Sequence, residues 1–120
     1  MTKTIAVIDD DVAILDSIQL LLELQGWQVR TYDTGEEFVE GLVDGDLPDC
    51  AILDPNLPGI SGADVARAIA CHSIPIIGLT ARPTCPAAKE MLQEGARAIL
   101  TKPVTEGGLL FQLRAVLGAP

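Results

Sequence analysis

Four short stretches hold the side chains able to do chemistry: Asp9, Asp10 and Asp11 in IDDD, Asp54 in LDPNLPG, Thr80 in LTA and Lys102 in TKP. Each has an ordinary reading on its own. Acids ahead of a helix cap it and complement its dipole, and Asp, Asn, Pro and Gly are the residues from which turns are made. A loop threonine and a solvated lysine need no explanation at all. As a set they are complementary. Carboxylates held close together repel, and a hard divalent cation relieves that repulsion; Mg2+ prefers oxygen ligands, with few protein carboxylates and several waters. Asp9, Asp10 and Asp54, with a backbone carbonyl from the Pro55-Asn56 turn, form a candidate Mg2+ site. A metal-bridged carboxylate beside the Lys102 ammonium and the Thr80 hydroxyl is an arrangement for phosphoryl transfer, with Asp54 the nucleophile that forms an acyl phosphate.

Such a site requires elements that bring the four stretches to one place. Apolar runs alternate with helix-period stretches along the whole chain. Strands are predicted over 5–8, 27–32, 50–53, 75–79 and 98–100. The run at 5–8 is short, continuous and rich in β-branched residues, which fits a buried parallel strand, whereas 27–32 alternates. Between them, Ile14, Leu15, Ile18, Leu21 and Leu22 recur at helical spacing with Gly26 as a stop. Thr34 and Glu37 are spaced as a capping box, and Ser61 is placed to cap a helix through Val65, Ala66 and Ile69. Helices over 84–94 and 105–117 complete the pattern. Gly107 and Gly108 each weaken the last helix by about 1 kcal/mol relative to alanine, so its start is expected to fray. Five β-α units imply a doubly wound parallel sheet with helices on both faces. In such sheets ligands bind at the carboxyl ends of the strands, where all four stretches fall.

The 120 residues suit one domain, read as 1–120, with Gly118-Ala119-Pro120 either a true end or the start of a linker. Lys and Arg number 8 against 17 Asp and Glu, a formal charge of −9. That balance disfavours direct binding to nucleic acid or an anionic membrane and suits a cation site or a basic protein partner. Cys50, Cys71 and Cys85 are odd in number and unpaired in spacing, which argues against a disulfide framework or a zinc site and for free thiols in a reducing compartment. No basic neighbour marks any of them as reactive. His72 is expected at a helix end or on the surface. MTKTIAVIDDD is neither a signal peptide nor a membrane span, so a cytoplasmic location is expected.

With IDDD at 8–11, LDPNLPGISG at 53–62, LTA at 79–81 and TKP at 101–103 in this order and spacing, the sequence resembles the receiver domain of two-component response regulators over essentially its whole length. The resemblance implies a flavodoxin-like strand order 2-1-3-4-5 with five helices. It implies that Asp54 is the phosphoacceptor, taking its phosphoryl group from a histidine kinase's phosphohistidine or a small donor. Asp9 and Asp10 would hold Mg2+ with Asp54 and the backbone carbonyl of Asn56, Asp11 being a further acid beside them. Thr80 would be the switch hydroxyl, Lys102 the partner of the phosphoryl group, and the Lys102-Pro103 bond would be cis. Asn56 and Arg82 would flank the pocket and govern how water reaches the phosphate, although Arg82 reads equally as a solvated side chain. The expected partners are a sensor histidine kinase or phosphotransfer protein and an output domain or downstream protein, with self-association through the face of the last two helices. The domain would catalyse its own phosphorylation and dephosphorylation without being a turnover enzyme.

Two positions depart from the family pattern. Ile99 stands where an aromatic switch residue is usual, with Val104 where another is frequent; a β-branched side chain is a stiffer, smaller lever, so a muted change on the last-helix face is expected. Pro55 follows the acceptor directly and offers no N–H, while biasing Asp54 toward extended backbone. These departures leave a degenerate receiver, acting by binding alone, as an alternative. A cofactor-binding flavodoxin-like protein or an aspartate-nucleophile phosphatase is a more distant one. The chain has no glycine-rich phosphate loop after its first strand and no insertion to cover a substrate.

Overall fold

The fold is seen in a computed structural model that describes residues 2–43 and 45–118; of the predicted terminal segment, Ala119 and Pro120 lie outside the described residues. Strand β1 (Thr4–Ile8) is followed by α1 (Val12–Leu24), β2 (Gln28–Tyr32), α2 (Gly35–Glu40), β3 (Cys50–Leu53) and α3 (Gly62–Ala68). A 3-10 turn (Ala70–His72), β4 (Ile76–Thr80), α4 (Pro86–Gln93), β5 (Ala98–Thr101) and α5 (Glu106–Leu117) complete the chain. The strands form one sheet in the order β2-β1-β3-β4-β5 with every pairing parallel, as the resemblance implies.

The two-residue strand period divides the apolar runs between two cores. Ile5, Val7, Ile52, Ile77 and Leu79 face α1 and α5, packing with Leu15, Ile18, Leu22, Leu109 and Leu113. Ala6, Ile8, Leu53 and Ile76 face the other way, onto Phe38, Val65, Ile69 and Met91 from α2, α3 and α4. This explains why β1 and β3 read as unbroken apolar runs: every residue of both strands is buried. The edge strand β2 is only half buried and carries Gln28, Arg30 and Thr31, polar groups that discourage pairing with another chain.

Local signals set most helix boundaries. Asp11 caps α1 by accepting from Ala13 N–H, and Gly26 follows its end at φ +97°. Ser61 and Asp64 form a reciprocal capping box on α3. Thr34 Oγ1 accepts from Glu37 N–H (3.1 Å) at the start of α2. Several predicted boundaries shift by one or two residues, and two of the shifts bear on the site. Helix α4 begins at Pro86, because Arg82–Cys85 closes a turn (Cys85 N–H to Arg82 C=O, 3.1 Å) and Cys85 is the extended N-cap. Strand β4 runs one residue further, so Thr80 is its last member.

Gly107 and Gly108 both lie within α5, whose expected fraying is opposed by local contacts. Its first turn is formed from Glu106 and capped, with Thr105 Oγ1 accepting from Gly108 N–H (3.0 Å). Such a cap contributes about 1 kcal/mol, and Leu109, fully buried one residue on, anchors the turn to the sheet.

Candidate functional site

Backbone ladders that run one residue past the strands aim the functional groups. Asp9 N–H donates to Tyr32 C=O (3.1 Å), Asp54 N–H to Ile8 C=O (3.1 Å) and Lys102 N–H to Thr80 C=O (2.8 Å). The first residue beyond each of β1, β3 and β5 is therefore still held by the sheet, and all three stand at its carboxyl edge. The Lys102-Pro103 bond is cis.

The side chains meet there. Lys102 Nζ lies 2.9 Å from Asp54 Oδ2 and 2.7 Å from Asp9 Oδ2. The Asp54 contact is a hydrogen bond. The Asp9 contact is an ion pair, and the Lys102 ammonium is the one polar group that reaches this buried oxygen among the described residues. Asp9 Oδ1 accepts from Asp11 N–H (2.9 Å), and Asp54 Oδ1 accepts from Asn56 N–H (2.8 Å). Asp9 is 2% exposed and Asp54 9%, whereas Asp10 faces solvent.

Burial pushes the Asp9 carboxyl above its ordinary range, against the opposing pull of Lys102 and the Asp11 amide. Burial also works against the Lys102 ammonium, yet Asp9 and Asp54 together outweigh it and raise its pKa. The ammonium's stabilising contribution is thus full below the ordinary lysine value and lost as pH rises through the raised one.

One oxygen from each of Asp9, Asp10 and Asp54 lies within 4.8 Å of the others. Three ionised carboxylates against one ammonium leave a formal charge of −2 (−3 + 1) at this edge. That excess, on three carboxylates whose oxygens converge, fits a hard divalent cation with oxygen ligands. Asp11 serves differently: its carboxylate caps α1, the ordinary reading of an acid at that place.

Thr80 is buried at the end of β4, and its hydroxyl accepts from Arg82 N–H (3.2 Å). Arg82 itself is exposed. Ile99 is seated inward on the α4 side, its Cδ1 filling the space above Gly78, where an added Cβ would lie 2.4 Å from it. Pro55 is buried and accepts at its carbonyl from Gly62 N–H (3.1 Å). Beyond Pro55, the next amide is already spent on the Asp54 carboxylate.

The family's sequence pattern, described as the response regulator receiver domain, matches residues 5–114. The chain belongs to the response regulator receiver domain family. Among its relatives, response regulator MprA of Mycolicibacterium vanbaalenii is 34% identical over 119 residues, which are 98% of this chain and 51% of that protein. The chain therefore spans about half the length of the curated relatives it matches. In structure it resembles the chemotaxis protein CheY4 of Vibrio cholerae at 29% identity and TM-score 0.86, covering 98% of this chain and 100% of that one. A BeF3-activated DrrB receiver domain is 31% identical with TM-score 0.84, covering 98% of each chain. Receiver domains are phosphorelay signalling modules, not turnover enzymes. Among the described residues, no helix is long and apolar enough to cross a membrane.

One group at the rim escapes the reading from sequence. Cys85 has no flanking base, but in the fold it is the N-cap residue of α4. The nearby amides of the first turn, Ala88 N–H foremost, then the Asn56 side chain, draw its thiol pKa down without a capping bond from the sulfur. The signal lay in Pro86: a proline at the first helical position makes Cys85 the cap. Cys50, by contrast, is fully buried in β3, and burial pushes its thiol up to about 12. Alkylation of the native receiver near neutral pH is expected to label Cys85 promptly and Cys50 only on unfolding. Mass spectrometry of a timed iodoacetamide reaction reads this directly, and early labelling of Cys50 would contradict the packing.

Proposed function

We propose that this receiver accepts a phosphoryl group on Asp54 from the phosphohistidine of a sensor histidine kinase or phosphotransfer protein. The observation that carries the reading is the Lys102 ammonium joined to both Asp54 and Asp9 at the sheet edge, with the Asp10 carboxylate close by. An Asp54 carboxylate oxygen attacks phosphorus, the phosphorus–nitrogen bond breaks, and its electron pair returns to the imidazole. Lys102 stays paired with the reacting carboxylate and meets the negative charge of the incoming group. Thr80, at the neighbouring strand end, exchanges its bond to the Arg82 amide for one to a phosphoryl oxygen.

Asp9, Asp10, Asp54 and the backbone carbonyl of Asn56 would hold Mg2+, which, when bound, neutralises charge on the transferring group. Pro55 supplies no amide, so Lys102 and Thr80 carry more of the contact to the phosphoryl oxygens. The phosphorylated domain acts on an output domain or a downstream protein and self-associates through the face of α4 and α5, where Leu92 and Phe111 are exposed.

A second reading, a receiver that signals by binding without phosphate, is favoured by Ile99 seated over Gly78, which leaves it little room to act as a lever. Beryllofluoride, which mimics a phosphoryl group on a carboxylate, separates the two. The wild type is expected to bind it only with Mg2+ present, and Asp54→Asn not at all, as followed by fluorine NMR. No binding by the wild type would overturn the acceptor reading and leave the second.

A further inference from the structure

The loops after β3 and β4 are tied together above the site by a bond that phosphoryl transfer does not require. Asn56 Nδ2 donates to Cys85 Sγ at 3.6 Å, between residues 29 apart in sequence. Asn56 is fastened at its other end as well, since its backbone N–H donates to the acceptor oxygen Asp54 Oδ1 (2.8 Å). One exposed residue thus spans from the acceptor carboxylate to the first turn of α4. Its anchor is rigid: Cys85 is the extended N-cap of α4, its N–H donates to Arg82 C=O (3.1 Å), Pro86 locks the next residue, and Ala88 is fully buried beneath the helix. β3 and β4 are adjacent parallel strands, so the span joins the two loops that follow Asp54 and Thr80.

We propose that Cys85 is a positioning residue of the phosphoryl site: its thiol straps the Asn56 carboxamide across the mouth and so slows loss of the phosphoryl group to water. This rests on the reading of Asp54 as the acceptor. In that loss a water oxygen bonds to phosphorus, the bond from phosphorus to the Asp54 oxygen breaks with its electron pair left on the carboxylate, and the water proton departs with inorganic phosphate. Asp54 is 9% exposed, so water has a narrow approach, and a carboxamide pinned at its edge narrows it further. Without the thiol the Asn56 side chain regains its rotamers and the approach opens. Sulfur is a weak acceptor, so the effect is modest.

The test loads the receiver with phosphoramidate and Mg2+, removes the donor, and follows the acyl phosphate on phosphate-affinity gels. Cys85→Ala and Asn56→Ala are each expected to lose phosphate about two- to fivefold faster than wild type. The double variant should lose it no faster than either single one, since both changes cut the same strap. Cys85→Ser, whose hydroxyl can accept the same bond, should restore most of the lifetime, which a merely structural role for the thiol would not predict. In the unphosphorylated protein, the Asn56 side-chain amide should exchange with solvent faster in Cys85→Ala than in wild type or Cys85→Ser. A wild type that takes up no phosphate overturns the acceptor reading and the role of the strap with it. A wild type that loads normally, with Cys85→Ala losing phosphate at the same rate or more slowly, overturns the strap alone; so do single effects that multiply in the double variant.

Discussion

Lys102→Ala is expected to slow phosphorylation of this receiver by small donors about 100-fold or more, the loss found when one preorganised charge-stabilising donor is removed. The same substitution should destabilise the metal-free protein. Lys102 Nζ is the only partner of Asp9 Oδ2 among the described residues, and the Asp9 side chain is 2% exposed while that of Lys102 is 17%. Removing one member of a fully buried pair costs about 3–5 kcal/mol. Because the lysine reaches partial solvent, water can replace it in part, and a cost of about 2 kcal/mol is expected.

The pH dependence has a definite sign. Burial already holds the Asp9 carboxyl above its ordinary range with the ammonium present, and without it the carboxyl rises further. A folded-state pKa above the unfolded one means that the folded chain binds the extra proton, so stability rises as pH falls toward the ordinary carboxylate range. Melting curves of Lys102→Ala in chelator should therefore shift upward on mild acidification more than those of wild type. Added Mg2+ should recover most of the loss at neutral pH and bind the variant more tightly, because a competing positive charge is gone. A variant that melts like wild type in chelator would show that the pair contributes nothing to the fold.

The second large effect is expected from a residue with no side chain. An added Cβ at Gly62 would lie 2.7 Å from Met91 Sδ, 2.8 Å from Pro55 Cα and 3.1 Å from Asp54 O. The methionine can move aside at little cost. The backbone of the acceptor loop cannot, since Gly62 N–H is itself bonded to Pro55 C=O and Asp54 N–H to Ile8 C=O. Gly62→Ala is thus expected to cost about 1–3 kcal/mol, as overpacking does, and to displace Asp54 enough to lower phosphate uptake as well. Gly107, at which an added Cβ meets nothing within 4 Å, is the contrast. Gly107→Ala should stabilise by up to about 1 kcal/mol through helix propensity and leave uptake unchanged. Urea denaturation of the two variants compares them, and a neutral Gly62→Ala would mean that the acceptor loop is more compliant than its bonds imply.

The residues of this chain differ in how far their roles could be read before folding. CAIL at 50–53 is β3 to the residue, and Ser61 caps α3. Both depend on neighbours no more than four positions away, which periodicity and capping rules reach. The alternation of strands and helices implied a parallel sheet, and with it one edge for Asp9, Asp54, Thr80 and Lys102. Resemblance added the strand order and the cis bond at Lys102.

What lay beyond reach depends on distances between loops far apart in the chain. That Asp9 turns inward, that Lys102 joins two carboxylates, and that Ile99 fills the space above Gly78 are results of side-chain packing across the sheet. The tie between Asn56 and Cys85 is the clearest instance. Neither residue carries a local signal for the other, because a bond across 29 residues exists only once β3 and β4 lie side by side. The sequence by itself determined which groups stand at the carboxyl edge, since strand period and connection rules are local. The tertiary structure alone decided which of those groups touch, since that follows from the register of the sheet and the volume left by its glycines.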